Sequence, residues 1–203
     1  FVDSGDPPSD IFAKNYQAGC LSFELLSKKQ KIICNTGFGK NFSSRFVELS
    51  RSTAAHSTLY LNNTSSCIFQ KNKTINKAYG ISLIRKHKIT KSNYNDDADF
   101  YYISLSHNGY EDEFGYIHTR EIKISKKKDE IIGIDKLSKT KKRFNLTLYS
   151  VRFHMYPNTK IVKTKGGNSV LISLPNGEGW SIQSDENNFE IDKNIFLGNK
   201  NKI

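Results

Sequence analysis

The 203-residue sequence holds only one methionine, one tryptophan, three cysteines and four prolines, and these scarcities are informative. Cys20, Cys34 and Cys67 are too few, and odd in number, for a disulfide framework. They also lack paired Cys-x-x-Cys spacing, so a finger-type zinc site is excluded and at most one bridge could form. No unbroken apolar run approaches ~18 residues, the length that would read as a spanning helix, and the mean hydropathy is −0.57. The sole methionine is Met155, and the chain opens on Phe1 with neither a basic start nor an apolar signal core. The expectation is a fragment or processed product, in which a missing targeting segment says nothing about location. Also absent are internal repeats, a sustained helical apolar period, a His-Glu-x-x-His helix, a Gly-x-Ser-x-Gly elbow and a phosphate-cradling glycine loop.

Charge is abundant but lopsided. Thirty-one Lys and Arg against 20 Asp and Glu give a formal net charge of +11, which favours polyanions such as acidic polysaccharide or nucleic acid. Only six of the cations are arginine, whereas sites that read phosphate or base edges lean on the guanidinium fork. No OB, RRM or helix-turn-helix pattern accompanies the lysines, so nucleic acid is the weakest of the partner readings. Lys126-Lys-Lys128 and the basic stretch 139–143 bracket a short apolar strand, and solvated hairpin ends account for them as well as a binding patch does.

Short alternating apolar runs recur at residues 21–25, 31–34, 57–61, 81–84, 100–106, 114–124, 131–134, 144–155, 169–174 and 180–183. Turn signals separate them at Asn108-Gly109, Gly166-Gly167-Asn168 and Pro175-Asn176-Gly177. Strands without intervening helices cannot pair in parallel. The pattern therefore predicts an all-β fold, an antiparallel β-sandwich with few or no helices, in which residues 1–17 and 86–99 are loops.

Five histidines are candidate chemistry: His56, His87, His107, His118 and His154. His56 lies among small residues at the start of a strand, where a ligand has room to approach. His118 and His154 fall inside strands and share faces with Arg120 and Arg152 by period-two alternation. Such ladders either meet sugar carboxylates or form ordinary cross-strand polar pairs. His87, in Arg85-Lys-His-Lys88, reads as a solvated basic turn. Trp180 is either a core anchor or a stacking platform for a sugar.

Six stretches then resemble, in order, the carboxy-terminal domain of the heparinase II/III family: Gln17-Ala-Gly-Cys-Leu-Ser-Phe-Glu-Leu25, Arg51-Ser-Thr-Ala-Ala-His-Ser-Thr-Leu59, Ser106-His-Asn-Gly-Tyr110, Phe114-Gly-Tyr-Ile-His118, Val151-Arg-Phe-His-Met-Tyr-Pro157 and Leu174-Pro-Asn-Gly-Glu-Gly-Trp180. Asp3-Ser-Gly-Asp-Pro-Pro8 looks like the lead-in to that domain. The resemblance implies that residues 1–203 form one supersandwich-like domain, attached in the complete protein to an amino-terminal α/α toroid not contained here. It further implies a periplasmic or cell-envelope polysaccharide lyase. Such an enzyme cleaves uronic-acid glycans of the heparin, heparan sulfate or alginate kind by β-elimination.

That reaction needs a group to neutralise the uronate carboxylate, a base for the C5 proton and an acid for the leaving oxygen. Several of these groups reside in the toroid of relatives, so the isolated chain is expected to be inactive, and a non-catalytic acidic-glycan-binding sandwich is the alternative. By the resemblance His56 is the catalytic candidate, and Arg51, His107, Tyr110, His118 and Arg120 are the substrate-binding ones. The metal positions of relatives fall on Gln17, Asn35 and His56, and a further catalytic histidine falls on Asn15. Two neutral amides with one imidazole are a poor set for zinc, so no cofactor is assigned, with zinc or another divalent ion as the metal such a set would take. The expected partners are an acidic polysaccharide and the toroid, with no membrane.

Overall fold

The computed structural model describes residues 1–80, 82–140, 148–185 and 189–198. The first strands are β1 (Leu25–Ser27) and β2 (Gln30–Cys34), followed by α1 (Ser44–Arg51), β3 (Leu59–Leu61), β4 (Ile68–Phe69), α2 (Lys73–Tyr79) and β5 (Leu83–Arg85). The longest strands come next: β6 (Ile89–Asp96), β7 (Phe100–Tyr110), then the single turn α3 (Glu111–Phe114), β8 (Tyr116–Ser125) and β9 (Ile131–Lys139). The last five are β10 (Tyr149–Val151), β11 (His154–Met155), β12 (Lys160–Lys163), β13 (Ser169–Ser173) and β14 (Gly179–Gln183).

All pairings among the described residues are antiparallel, in sheets ordered β6-β7-β8-β9, β1-β2-β11, β12-β13-β14, β10-β3 and β4-β5. The result is an all-β sandwich with few helices. Leu105 of the four-stranded sheet packs on Cys20 and Leu21, and Leu59 and Leu61 pack on Tyr110, Phe114 and Tyr116. Behind them, Ile32 and Ile33 of β2 pack on Ile172 and Leu174, with Trp180 and Ile182 against the same cluster. Trp180 is thus a core anchor, its indole N–H donating to Glu178 at 2.8 Å.

Several expectations are corrected. Residues 86–99 are not simply a loop, because 89–96 form β6, an edge strand whose polar sequence reflects exposure rather than disorder. The Asn108-Gly109 turn does not occur. β7 runs through it with a bulge between His107 and Tyr110, and the reversal comes later, at Gly115 in the left-handed region (φ 70°). Gly109 is required for a different reason: a Cβ there would sit 2.6 Å from the Ser66 carbonyl oxygen. Leu21 is a turn residue at φ 58°, so the strand expected over 21–25 begins only at Leu25. Residues 144–147 of another expected strand, and 141–143 of the basic stretch, lie outside the described residues.

Candidate functional site

The pairing of β7, β8 and β9 places Leu105, Arg120 and Asp135 in one row, and His107, His118 and Leu137 in the next, all on the sheet face toward the core. The β7 and β8 members of both rows are closed to solvent, with His107 at 1%, His118 at 0% and Arg120 at 3% exposure, while the Asp135 side chain on β9 is 16% exposed. The hydrogen bonds fix every proton. The Gly109 backbone N–H donates to His107 Nδ1 at 3.0 Å, so the His107 proton is on Nε2, which lies 3.1 Å from His118 Nδ1. His118 Nε2–H then donates to Asp135 Oδ1 at 2.7 Å. Arg120 meets the same carboxylate through Nε and Nη2, both at 2.9 Å, and its Nη1 donates to the Leu21 and Ser57 carbonyls at 2.8 Å.

Upstream, His87 stands 5.4 Å from His107, ring centre to ring centre. Its Nε2 faces the Gly5 carbonyl at 3.4 Å, which leaves Nδ1 to accept from the Cys67 thiol at 3.2 Å. Burial lowers the pKa of all three imidazoles, most strongly for His107, where His118, His87 and Arg120 add to the effect. Burial alone would raise Asp135, but the Arg120 charge and the bonds from His118 and Arg120 outweigh it and hold the carboxylate ionised. The row is therefore a chain of neutral histidines ending on one Arg–Asp ion pair.

This placement revises the expected sugar surface. His107, His118 and Arg120 have their polar edges bonded within the protein, and Tyr110, 0% exposed, donates its hydroxyl to the Leu59 carbonyl at 3.1 Å. None offers a face to a polysaccharide in this conformation. Arg51 donates to the Tyr16 and Ala13 carbonyls at 2.8 and 3.0 Å and lies over the Phe69 ring, tying the 3-10 turn Asp10–Asn15 to α1. His87 is buried, not a solvated turn.

Asn35 and His56, by contrast, come together in one corner, which the chain enters just after Gln17. Asn35 Oδ1 accepts from the Ser57 backbone N–H at 2.9 Å. Gly19, two residues after Gln17, packs so closely on His56 that a Cβ would lie 2.6 Å from its Cδ2 and 3.1 Å from Nε2. His56 is 4% exposed, and its Nδ1 is 2.8 Å from the Ser52 carbonyl. Burial brings its pKa down to about 4, opposed by the Ser52 bond and reinforced by His154. Asn15, at the end of the 3-10 turn, is exposed.

The corner does not fit the metal that the resemblance implies. One lone pair of the Asn35 oxygen is already engaged, the amides are neutral, and no group of three His, Cys, Asp or Glu among the described residues is arranged to hold an ion. Gly19→Ala is expected to push the His56 ring off the Ser52 carbonyl and cost about 1–3 kcal/mol. An unchanged urea midpoint and an unshifted His56 imidazole signal would refute that packing.

Beside this corner opens a cleft of about 250 Å³ lined by Glu24, Lys31, Asn35, Gly37, Tyr156 and Phe196. Lys31 pairs with Glu24 at 3.0 Å, and the Tyr156 and Phe196 rings meet edge to face at 5.4 Å. The carboxy-terminal segment forms one lip. The Leu197 N–H donates to the Thr36 carbonyl, and a Cβ on Gly37 would collide with the Gly198 backbone at 2.5 Å.

With this geometry in view, comparison with known proteins is decisive at one level. The family model described as heparinase II/III-like, C-terminal, matches residues 1–203, the whole chain. The chain belongs to the heparinase II/III-like family. It is also similar to FtsZ-localized protein C of Caulobacter vibrioides, with 25% identity over 199 residues, covering 94% of this chain and 34% of that protein. The chain thus spans about a third of the length of this relative. No solved structure matches.

Two groups escaped sequence reasoning. Asp135 was hidden in a short apolar strand, although folding the β8–β9 hairpin about its lysine turn would have set it opposite Arg120. The cleft residues Glu24, Lys31 and Tyr156 carry no motif and are gathered only by tertiary structure. At the lysine turn, Lys126 pairs with Asp96 and Lys127 with Asp99, so part of the basic patch is neutralised locally. No helix among the described residues is long and apolar enough to cross a membrane.

Proposed function

We propose that this chain is the carboxy-terminal sandwich of a protein that degrades uronic-acid glycans by β-elimination, and that it supplies a wall for the sugar rather than the proton-transfer groups. The observation that carries this reading is the cleft. It offers the Lys31–Glu24 ion pair, an amide at Asn35 and an aromatic edge at Tyr156, a mixed polar and aromatic lining suited to a sugar ring. The net charge of +11 supports an acidic polymer as the partner.

His56 is the weak point of a catalytic role for this domain. A buried imidazole with a pKa near 4 and one nitrogen bonded to a carbonyl is a poor base at neutral pH. Proton removal from C5 and protonation of the leaving oxygen are therefore assigned to a preceding toroid domain, and the chain alone is inactive. Its setting is the periplasm or cell envelope, where such glycans are met.

A second reading, a glycan-binding sandwich without chemistry, is favoured by the neutral Asn15, Gln17 and Asn35 at positions where relatives titrate or bind metal. It is also compatible with a relative whose name records localisation with FtsZ rather than catalysis. Incubating the longer protein and the isolated chain with heparan sulfate, heparin and alginate, while following absorbance of the unsaturated product, separates the readings. Product from the longer protein only is expected. Binding by both without product selects the second reading. No binding to any uronide, with salt-sensitive binding to duplex DNA, overturns both.

A further inference from the structure

Among the described residues, the β9 edge of the four-stranded sheet is open. β9 pairs with β8 in unbroken register from Tyr116↔Lys139 to Ile124↔Ile131, and its other edge bonds no strand among the described residues. Proteins ordinarily guard such an edge with proline, a bulge or charges spread along it. The centre of β9, Ile131-Ile-Gly-Ile134, has none of these. Ile132 and Ile134 are 44% and 43% exposed, and a Cβ on Gly133 would meet nothing within 4 Å.

Of the flanking charges, one opposite pair is placed symmetrically about this centre, and its lysine, Lys136, also pairs with Glu121 of β8 at 3.0 Å. Glu130 lies three residues before Gly133 and Lys136 three residues after it. We infer that β9 pairs with β9 of a second copy of this chain, antiparallel about a two-fold axis at Gly133, continuing the sheet across the dimer. In that register Ile132 faces Ile134 of the other copy, and Glu130 faces Lys136, each pair occurring twice as an isologous contact requires. All four residues lie on the sheet face away from the core.

Neighbouring registers lose this match. Centring on Ile132 sets Asp129 opposite Asp135, centring on Ile134 sets Ile132 opposite Lys136, and centring between Gly133 and Ile134 sets Ile131 opposite Lys136. The favoured register does place Ile131 opposite Asp135 on the core face, but that carboxylate stays engaged with Arg120 and His118. The opposite edge, β6, presents Lys91, Ser92, Asn93, Tyr94 and Asn95, a single exposed ring among polar residues rather than an apolar run.

Sedimentation of the 203-residue chain over a range of concentrations tests the inference, with dimer formation expected as a mass approaching twice 23.2 kDa. Lys136→Glu places like charges opposite Glu130 at two points and should weaken the dimer on the order of tenfold, while adding Glu130→Lys should restore it. Gly133→Cys should give a disulfide-linked dimer on oxidation, since facing Cα atoms in an antiparallel pair are ~4.5–5.5 Å apart. Asn93→Cys on the opposite edge should not. A monomer at every concentration overturns the proposal. So does a dimer that ignores the charge reversal and is not trapped at Gly133, because its interface then lies elsewhere.

Discussion

Replacing Asp135 with alanine is expected to destabilise the fold by about 3–5 kcal/mol, because it strands a buried guanidinium without its counter-charge. Arg120 is 3% exposed and delivers two of its three bonding nitrogens to that carboxylate. The same change removes the acceptor at the end of the His107–His118 chain. Arg120→Met should cost a comparable amount, since it also removes the Nη1 donor from the Leu21 carbonyl and leaves the Ser57 carbonyl with only the Phe23 N–H at 3.4 Å. The double variant Arg120→Met/Asp135→Ala is expected to lose less than the sum of the singles, as residues in one network do. Denaturant midpoints for the four proteins decide the matter. Additive losses would mean that the pair is not coupled as the distances imply.

The second large effect is acid sensitivity. All five histidines have pKa values lowered by burial: His56, His87, His107, His118 and His154. Their folded values lie below the unfolded value of about 6.5, so between the two the unfolded chain binds more protons and stability rises with pH. The contribution is complete above about pH 6.5 and is withdrawn as pH falls toward the folded values.

His56, brought to about 4, alone withdraws about 2 kcal/mol between pH 6.5 and 5. The other four histidines act in the same direction, against a whole-domain stability of only about 5–15 kcal/mol. Asp135 extends the loss further down: its depressed pKa means that stability present above about pH 4 disappears as the carboxylate protonates. Thermal melting from pH 8 to 4 should show a steep fall beginning near pH 6.5. A flat profile down to pH 5 would contradict the buried neutral histidines.

These two effects reside in residues that the sequence made visible only in part. Alternation exposed most strands, and it correctly set His118 and Arg120 on one face. It does not distinguish a sheet face that meets water from one that meets another layer, so the same residues were expected at a sugar surface. The difference comes from Leu21 and Ser57, turn and loop residues whose carbonyls reach Arg120 across 99 and 63 positions of chain. β6 was illegible for the opposite reason, since an exposed edge strand need not carry an apolar stripe. The family was carried by ordered motifs over the full length, whereas the cleft was not, because Glu24, Lys31, Tyr156 and Phe196 are assembled from three distant segments.

The three thiols have a practical consequence. Cys20, Cys34 and Cys67 are free and are 1–2% exposed. Burial raises all three, Cys34 to about 12 and Cys67 to about 11, so the reactive thiolate is scarce in the native state. Alkylating reagents should therefore leave the folded chain untouched and add three adducts once it opens, turning ordinary mass spectrometry into a clock for global unfolding. Because Cys20 and Cys67 lie in different core clusters, Cys20 on Leu21 and Leu105 and Cys67 on Ala13 and Leu83, the order of their labelling would report which part of the interior loosens first.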